Sequence, residues 1–359
     1  MNPRYPTRLA MITFASVFAA NMMAASAQEM SPGPAPTPTG ATPVATVPVL
    51  TPEAINTARL ETLVIDEPLL TVEEAEAAGL RSPDPAIVRL QILLDQAGAS
   101  PGVIDGFDGD NVRKAVVAAE AMHGLPTDGT LDPELLTTLE TGQPVVGYYT
   151  ITEDDMADLV PSIPEDYAEK ARMEFLGYTS IEEKLAERFH MDVDLLKALN
   201  PGVAFTPGAD VLVAAYGPEV NGEVARIEAD KGLRQLRAYG ADGRLIAAYP
   251  ATIGSTQNPS PSGIHAVEGV ASMPDYTYNP KINFQQGDNT EVLLIPPGPN
   301  GPVGSTWIDL SEPTFGIHGT PEPSLIDKTG SHGCVRLTNW DAAELSKMVK
   351  PGVEVAFIG

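Results

Sequence analysis

Three rhythms of apolar and polar positions run along this chain. Residues 9–20 are apolar apart from Thr13 and Ser16. Between 84 and 140 the apolar residues recur at helical spacing. Asp84-Pro85 reads as an N-cap followed by proline at the first helical position. Ile87, Leu90 and Leu94 then share one face, and Gly98 ends the helix. A second helix starts near Asn111, places Val112, Ala115, Ala119 and Met122 on one side, and stops at Gly124. Asp132-Pro133 opens a third, short helix carrying Leu135, Leu136 and Leu139. Asp105-Gly106 and Asp128-Gly129 are turns.

A second helical pair follows. Ile181, Leu185 and Phe189 mark one helix; Leu195, Leu196 and Leu199 mark another, which ends at Asn200-Pro201-Gly202. Val211-Leu212-Val213 then reads as a strand. From about residue 221 the rhythm shortens to strands. Gln235–Tyr239 and Arg244–Tyr249 flank Asp242-Gly243, a strong hairpin signal. Turns recur at Asn258-Pro259, Pro297-Gly298 and Asn300-Gly301. One good helix remains, with Asn339 as its N-cap and Pro351-Gly352 as its terminator, and Val353–Ile358 closes as a strand. Many short strands with frequent turns predict a sandwich or barrel-like β domain.

The first apolar run is too short to span a bilayer comfortably, Arg4 and Arg8 precede it, and Ala25-Ser26-Ala27 is a small-residue cleavage site. Residues 1–27 therefore read as a signal peptide, and the protein as exported. No residue of the Ala25-Ser26-Ala27 stretch is a lipidatable cysteine, so a lipoprotein anchor is excluded, and stable membrane insertion after cleavage is not expected. Residues 28–55 are rich in Pro, Thr, Ala and Gly and read as a disordered tether. The net charge of −26 argues against nucleic acid and against an anionic membrane surface.

The single cysteine, Cys334, lies in Ser331-His332-Gly333-Cys334-Val335-Arg336-Leu337. An exported thiol with no disulfide partner is a liability or a tool. His332 stands two residues before it, and His318, in Gly316-Ile317-His318-Gly319-Thr320, lies at the end of a predicted strand. A histidine near a cysteine is the pattern of an activated nucleophile. The amides of His332, Gly333 and Cys334 are candidate oxyanion donors. Zinc bound by His318, His332 and Cys334 is disfavoured, because His-x-Cys is poor metal spacing; no metal and no cofactor are expected. Asp309 reads as a strand or loop acid rather than a third triad member, and His190 as a surface or packing residue.

Residues 221–358 resemble the YkuD-type L,D-transpeptidase family. The resemblance rests on His318-Gly319-Thr320, the Ser331–Leu337 run, Tyr249-Pro250, Ile253-Gly254, Ser260-Pro261-Ser262-Gly263 and Trp307-Ile308-Asp309-Leu310. Residues 80–142 resemble the peptidoglycan-binding helical module through Leu90-Gln91, Leu94, Gly98, Ile104-Asp105-Gly106, Ala115-Val116, Gly124-Leu125 and Asp128-Gly129. Ala119-Glu120 stands where that family carries an aromatic-Gln pair. Residues 175–216 resemble a βααβ LysM glycan-binding module through Leu185–His190 and Leu199-Asn200-Pro201-Gly202. The expected architecture is multidomain α+β: a mainly β catalytic domain behind a three-helix domain and a LysM-like unit.

The family resemblance implies the chemistry. Cys334 would attack the carbonyl of the third stem residue in a peptidoglycan tetrapeptide, D-Ala would leave, and an acceptor amine would resolve the thioester without ATP. His318 matches the general base, with the Gly319 carbonyl orienting its ring; His332 matches the second motif histidine, and swapped roles remain open. Gly333 belongs to the catalytic loop. Arg336 could receive a stem carboxylate or lock the loop in an ion pair; Ser331 and Gly319 are the other substrate-binding candidates, with Ser331 also readable as a structural hydrogen-bonder. The N-terminal modules could hold glycan strands. An L,D-carboxypeptidase or hydrolase using the same cysteine, and an inactive wall-binding scaffold, are the competing readings. The periplasm is the expected compartment.

Overall fold

The computed structural model describes residues 50–65 and 82–359. The predicted signal peptide, and the tether up to residue 49, lie outside the described residues. The tether's last residues differ from the expectation. Helix α1 (Pro52–Asn56) is capped by the Thr51 hydroxyl, which accepts from the Ala54 amide at 3.1 Å, and it buries Ile55. Asn56 then accepts from the Val145 and Val146 amides at 2.7 and 3.1 Å, so this segment is stitched into the fold.

The three-helix unit forms where the caps predict it. Helix α2 (Pro85–Gln96) starts with the Asp84 carboxylate accepting from the Ala86 amide; α3 (Asp110–His123) and α4 (Pro133–Leu139) complete the set. Buried Gln91 accepts from the amides of Asp105 and Gly106, so the Leu-Gln and Asp-Gly signatures are two halves of one hydrogen-bond cluster. Glu120, the departure from the family pair, is buried and accepts from the Gly129 amide at 3.0 Å. It ties the second turn to α3 and raises no polar group toward solvent.

The following unit has the predicted order strand, helix, helix, strand, with a different first strand. Strand β1 (Val146–Thr150) pairs antiparallel with β2 (Asp210–Ala214), and between them lie α5 (Tyr167–Lys170), α6 (Ile181–Arg188) and α7 (Val193–Leu199). The unit therefore opens well before residue 175, and residues 151–177 form an insertion. Asn200 is buried; its amide group bonds both Leu196 and Leu212, fastening α7 to β2. The helical and βααβ units share one hydrophobic core that includes Leu90, Leu94, Leu135, Leu185 and Leu196.

The C-terminal part is built on nine strands: β3 (Val224–Asp230), β4 (Gln235–Gly240), β5 (Leu245–Pro250), β6 (Thr252–Ile253), β7 (Gly263–Ser272), β10 (Thr306–Leu310), β11 (Gly316–His318), β12 (Val335–Arg336) and β13 (Glu354–Ile358). A separate hairpin, β8 (Tyr276–Tyr278) and β9 (Leu293–Ile295), lies apart from them. The spatial order is β5-β4-β3-β13-β7-β10-β11-β12-β6. Long strand β7 pairs with β13 along its first half and with β10 along its second, so the sheet bends there. Its two outer strands, β5 and β6, are one stretch of chain broken at Ala251, which gives the sheet its barrel-like curl. A core of Ile227, Val267, Ile308, Ile317, Val335 and Leu345 fills the interior. Helix α8 (Asn339–Met348) covers it. Its N-cap is Thr338, whose hydroxyl accepts from the Asp341 amide, rather than the predicted Asn339. That one-residue shift frees the Asn339 amide group for a different task.

The units meet through polar contacts as well as apolar ones. Ala248 on β5 exchanges backbone hydrogen bonds with Gly98 and Ser100, which covers the sheet's edge. His190, read as surface or packing, is packed: it stacks on Trp340 and pairs with Asp95 at 2.9 Å. On the other side, Lys114 of α3 meets Asp327 at 2.7 Å, in the loop that leads to Cys334. Arg234 Nε lies 3.0 Å from the Asp327 carboxylate, off the hydrogen-bond line, and its Nη1 donates to the Asp327 carbonyl at 2.6 Å. Lys114 and Asp327 are both nearly buried whereas Arg234 is half exposed. Replacing one partner of a buried pair strands the other charge. Lys114→Met should therefore cost roughly 2–3 kcal/mol, and Arg234→Met below about 1 kcal/mol, in urea denaturation.

Candidate active site

Parallel strands β11 and β12 place His318 opposite Arg336, and Cys334 immediately precedes β12. His318 sits on the last residue of β11 and is buried. Its Nδ1 lies 2.7 Å from the Gly319 carbonyl. A carbonyl only accepts, so Nδ1 carries the proton and Nε2 keeps its lone pair. Trp307, the cross-strand partner on β10, stacks on the imidazole with centroids 5.5 Å apart. The indole N–H donates to Asp309 at 3.1 Å. Asp309 thus orients the tryptophan and has no bond to His318. Burial drives the His318 pKa down to about 4, against a weaker upward pull from the Gly319 hydrogen bond.

Cys334 is half-buried. Its sulfur lies 3.7 Å from the Thr314 carbonyl, the geometry of a thiol donating. Burial pushes its pKa up, opposed by the Gly316 amide and by Arg336. Burial thus favours the neutral form of both the thiol and the imidazole. The surrounding residues withdraw water from the sulfur faster than they supply positive charge to it.

The loop that carries Cys334 is held by its own polar groups. The Ser331 hydroxyl donates to the Cys334 carbonyl at 2.6 Å, and the Ser260 hydroxyl donates to the Gly333 carbonyl at 2.7 Å. Gly333 adopts φ of +109°, and a Cβ there would stand 2.6 Å from the Phe315 ring. Two substrate-binding expectations are corrected here. Ser331 is buried and spends its hydroxyl on the loop backbone; Gly319 is buried with its carbonyl on His318. Neither lines the cleft. The Gly333 amide faces Ser331 Oγ at 3.3 Å, so of the three expected oxyanion donors it is the one already turned away.

His318, His332, Cys334 and Arg336 line one cavity of about 550 Å³. The His332 ring is exposed and stacks on Phe284 at 4.1 Å. Arg336 has no ion pair among the described residues, so the loop-locking alternative finds no partner there. Sequence reasoning missed much of the wall: Tyr276 on β8, Phe284 and Ile282 in the β8–β9 connection, Phe315 beside Thr314, and Tyr167 from α5. Only the clustering of aromatics at 276–284 hinted at them. No cluster of three His, Cys, Asp or Glu side chains among the described residues is arranged to hold a metal ion.

Residues 225–357 match the L,D-transpeptidase catalytic domain YkuD, and residues 83–139 match a peptidoglycan binding domain. A Bacillus licheniformis protein named for L,D-transpeptidase YkuD is 34% identical over 178 residues, 48% of this chain and 91% of that protein. The chain belongs to the YkuD L,D-transpeptidase family. A Bacillus subtilis protein with the same name is 27% identical, covering 48% of this chain and 89% of its own. An L,D-transpeptidase structure from Mycobacterium smegmatis is 19% identical, over 42% of this chain and 66% of that one, with a TM-score of 0.31. The cleft just described lies in the YkuD-matched residues except at Tyr167.

Two outcomes follow from this geometry. Gly333→Ala should lower stability by about 1–3 kcal/mol through backbone strain and the Phe315 clash, and slow Cys334 alkylation, read by thermal melting and by iodoacetamide labelling. The depressed His318 pKa also carries a sign. The unfolded histidine takes up a proton below about 6.5 while the folded one stays neutral down to about 4. Its contribution, full above pH 6.5, is lost as the pH falls through that window. The stability difference between wild type and His318→Phe should shrink from pH 7 to pH 4 in parallel denaturation series.

Proposed function

We propose that the protein is an exported L,D-transpeptidase acting on peptidoglycan stem peptides, with Cys334 as nucleophile and His318 as general base. One observation carries the assignment of roles: the Gly319 carbonyl takes the His318 Nδ1 proton, which leaves Nε2 as the basic nitrogen beside a cleft that also holds the sulfur. His332, by contrast, is exposed and stacked on Phe284, a shape role.

In this reading the thiol stays protonated until a donor stem fills the cleft. As Sγ bonds to the carbonyl carbon of the third stem residue, Nε2 takes the thiol proton. The amides of His332 and Cys334 receive the developing oxyanion. When the intermediate collapses, the bond to D-Ala breaks, and the imidazolium returns its proton to the leaving amine. An acceptor amine then attacks the thioester, gives a proton to His318, and expels the thiol. No ATP enters, because the energy of the donor amide is conserved in the thioester. Burial keeps His318 uncharged at neutral pH but also weakens it as a base, so the donor stem must raise its basicity as it fills the cleft. Arg336, unpaired among the described residues and facing the cleft, receives a stem carboxylate. The helical unit, matched as a peptidoglycan binding domain, and the LysM-like βααβ unit hold the enzyme near glycan strands. The assignment puts the protein outside the cytoplasm, and we take the periplasm as its compartment.

Intact-mass spectrometry tests the chemistry. The wild-type protein should gain one adduct on exposure to a carbapenem, and Cys334→Ala should gain none. His318→Ala should acylate about 10²–10⁴-fold more slowly. Incubation with purified tetrapeptide stems and mass analysis should yield cross-linked dimer; tripeptide alone would identify water as the acceptor and the enzyme as a carboxypeptidase. A wild type that binds sacculi yet forms no adduct would mark a scaffold.

A further inference from the structure

The cleft has a wall that the catalytic domain does not supply. Residues 151–177, the insertion between β1 and α6, lie against the β8–β9 hairpin. The Tyr167 amide donates to Gln286 Oε1 at 3.0 Å, Gln286 Nε2 donates to the Glu165 carbonyl at 3.1 Å, and Asn289 donates to Asp166 at 3.0 Å. Leu176 is buried with Tyr278 and Ile295 in a small core of its own, to which Ile163, Tyr167 and Met173 add. Its amide and carbonyl bond Pro297 and Asn300. Insertion and hairpin are thus one packed piece, although some 100 residues separate them in the chain.

Tyr167 is the point where this piece reaches the chemistry. Its ring meets Tyr278 edge-on at 5.2 Å, Phe284 at 5.9 Å and Tyr276 at 6.3 Å. Phe284 in turn stacks on His332, two residues from the nucleophile. The Lys170 ammonium lies 5.4 Å from the Tyr167 ring centroid. The side chain lines the same cavity as Cys334 and Arg336. Its hydroxyl has no hydrogen-bond partner among the described residues. Burial pushes its pKa up to about 12, with the Arg336 charge acting against that shift. It is a neutral donor, held by packing, in a cavity that Arg336 also lines.

We propose that Tyr167 is a specificity-determining residue, which with Arg336 forms a two-donor clamp for a carboxylate of the donor stem. The inference rests on the transpeptidase reading above and extends it to a residue outside the matched catalytic domain. A guanidinium alone fixes charge; a phenol beside it, aimed by three aromatic contacts, fixes direction. The clamp favours stems whose carboxylate is free over stems in which it is amidated. It also makes the βααβ unit part of the substrate site, because the insertion that bears Tyr167 is anchored between β1 and α6.

The test uses the full chain and two kinds of donor tetrapeptide, one with free carboxylates and one with carboxamides in their place. Tyr167→Phe keeps the ring packing and removes only the hydroxyl. With the free-carboxylate donor it should raise KM about 10-fold while kcat stays within about twofold, the effect of one charge-assisted hydrogen bond. With the carboxamide donor, whose carbonyl still accepts but carries no charge, the difference between wild type and Tyr167→Phe should shrink to about threefold or less. Binding gives a second readout that needs no turnover: Cys334→Ala and Cys334→Ala/Tyr167→Phe should differ by the same factor in Kd for the free-carboxylate stem. Equal KM and equal Kd, in a protein whose Cys334 still takes a carbapenem, would overturn the clamp alone. A wild type that takes no carbapenem and turns over neither donor would overturn the transpeptidase reading as well.

Discussion

One hydrogen bond organises the cleft: His318 Nδ1 to the carbonyl of its own neighbour, Gly319. It fixes which imidazole nitrogen is basic, and it holds only while that carbonyl points back at the ring. Gly319 is kept in place from behind. A Cβ on it would stand 2.0 Å from Asn339 Oδ1, so the loop and the start of α8 are in direct contact. The same Oδ1 accepts from the Ser305 amide, and the Asn339 Nδ2 donates to Glu187 at 3.0 Å and to the Pro299 carbonyl. Glu187 lies on α6, outside the catalytic strands. Burial pushes its pKa up to about 7, where the bonds from Asn339 and Tyr178 oppose the shift. The orientation of the base is therefore referred, through one buried carboxamide, to a different unit of the chain.

That path changes what the N-terminal units are. Beads on a string would have separate cores and water between them. Here the helical and βααβ units share one core, the loop after α2 bonds to the exposed side of β5, and Lys114 grips the loop that precedes the nucleophile. The β8–β9 hairpin, which roofs the cleft, buries its inner face on Leu176 rather than on the nine-stranded sheet. Removing the upstream units would expose apolar surface on the hairpin and leave Asp327 in a half-empty charge cluster.

Local signals explain which parts were legible in the sequence. Asp84-Pro85, Asp132-Pro133 and Asp242-Gly243 act over two to four residues, and each element they announce is present. The Ser331–Leu337 run was legible because a tight loop needs its glycine and small hydroxyl residues side by side. Contacts across long separations left no such trace. Strand β1 reads as an ordinary Val-Gly-Tyr-Tyr-Thr stretch; its partner β2 lies some 60 residues on, past an insertion that breaks the βααβ spacing. Asn339 looked like a cap because asparagine caps well. Thr338 took that position, and the carboxamide went to Ser305, Pro299 and Glu187 instead. Tyr167 lay in a segment with no periodicity at all, and only tertiary packing brings it to the sulfur. The upward push on the Cys334 thiol was not legible either: a motif names the neighbours of a cysteine but not how deeply they bury it.

The retained proton on Cys334 bears on how long the enzyme lasts. Thiolates attack peroxides and foreign disulfides far more readily than thiols do. A sulfur that is half-covered and protonated between turnovers presents little of the reactive form to them, and no second cysteine exists with which an internal disulfide could form. In the proposed mechanism ionisation is coupled to the arrival of a donor, which would confine the vulnerable state to the moments when a substrate carbonyl already occupies the approach.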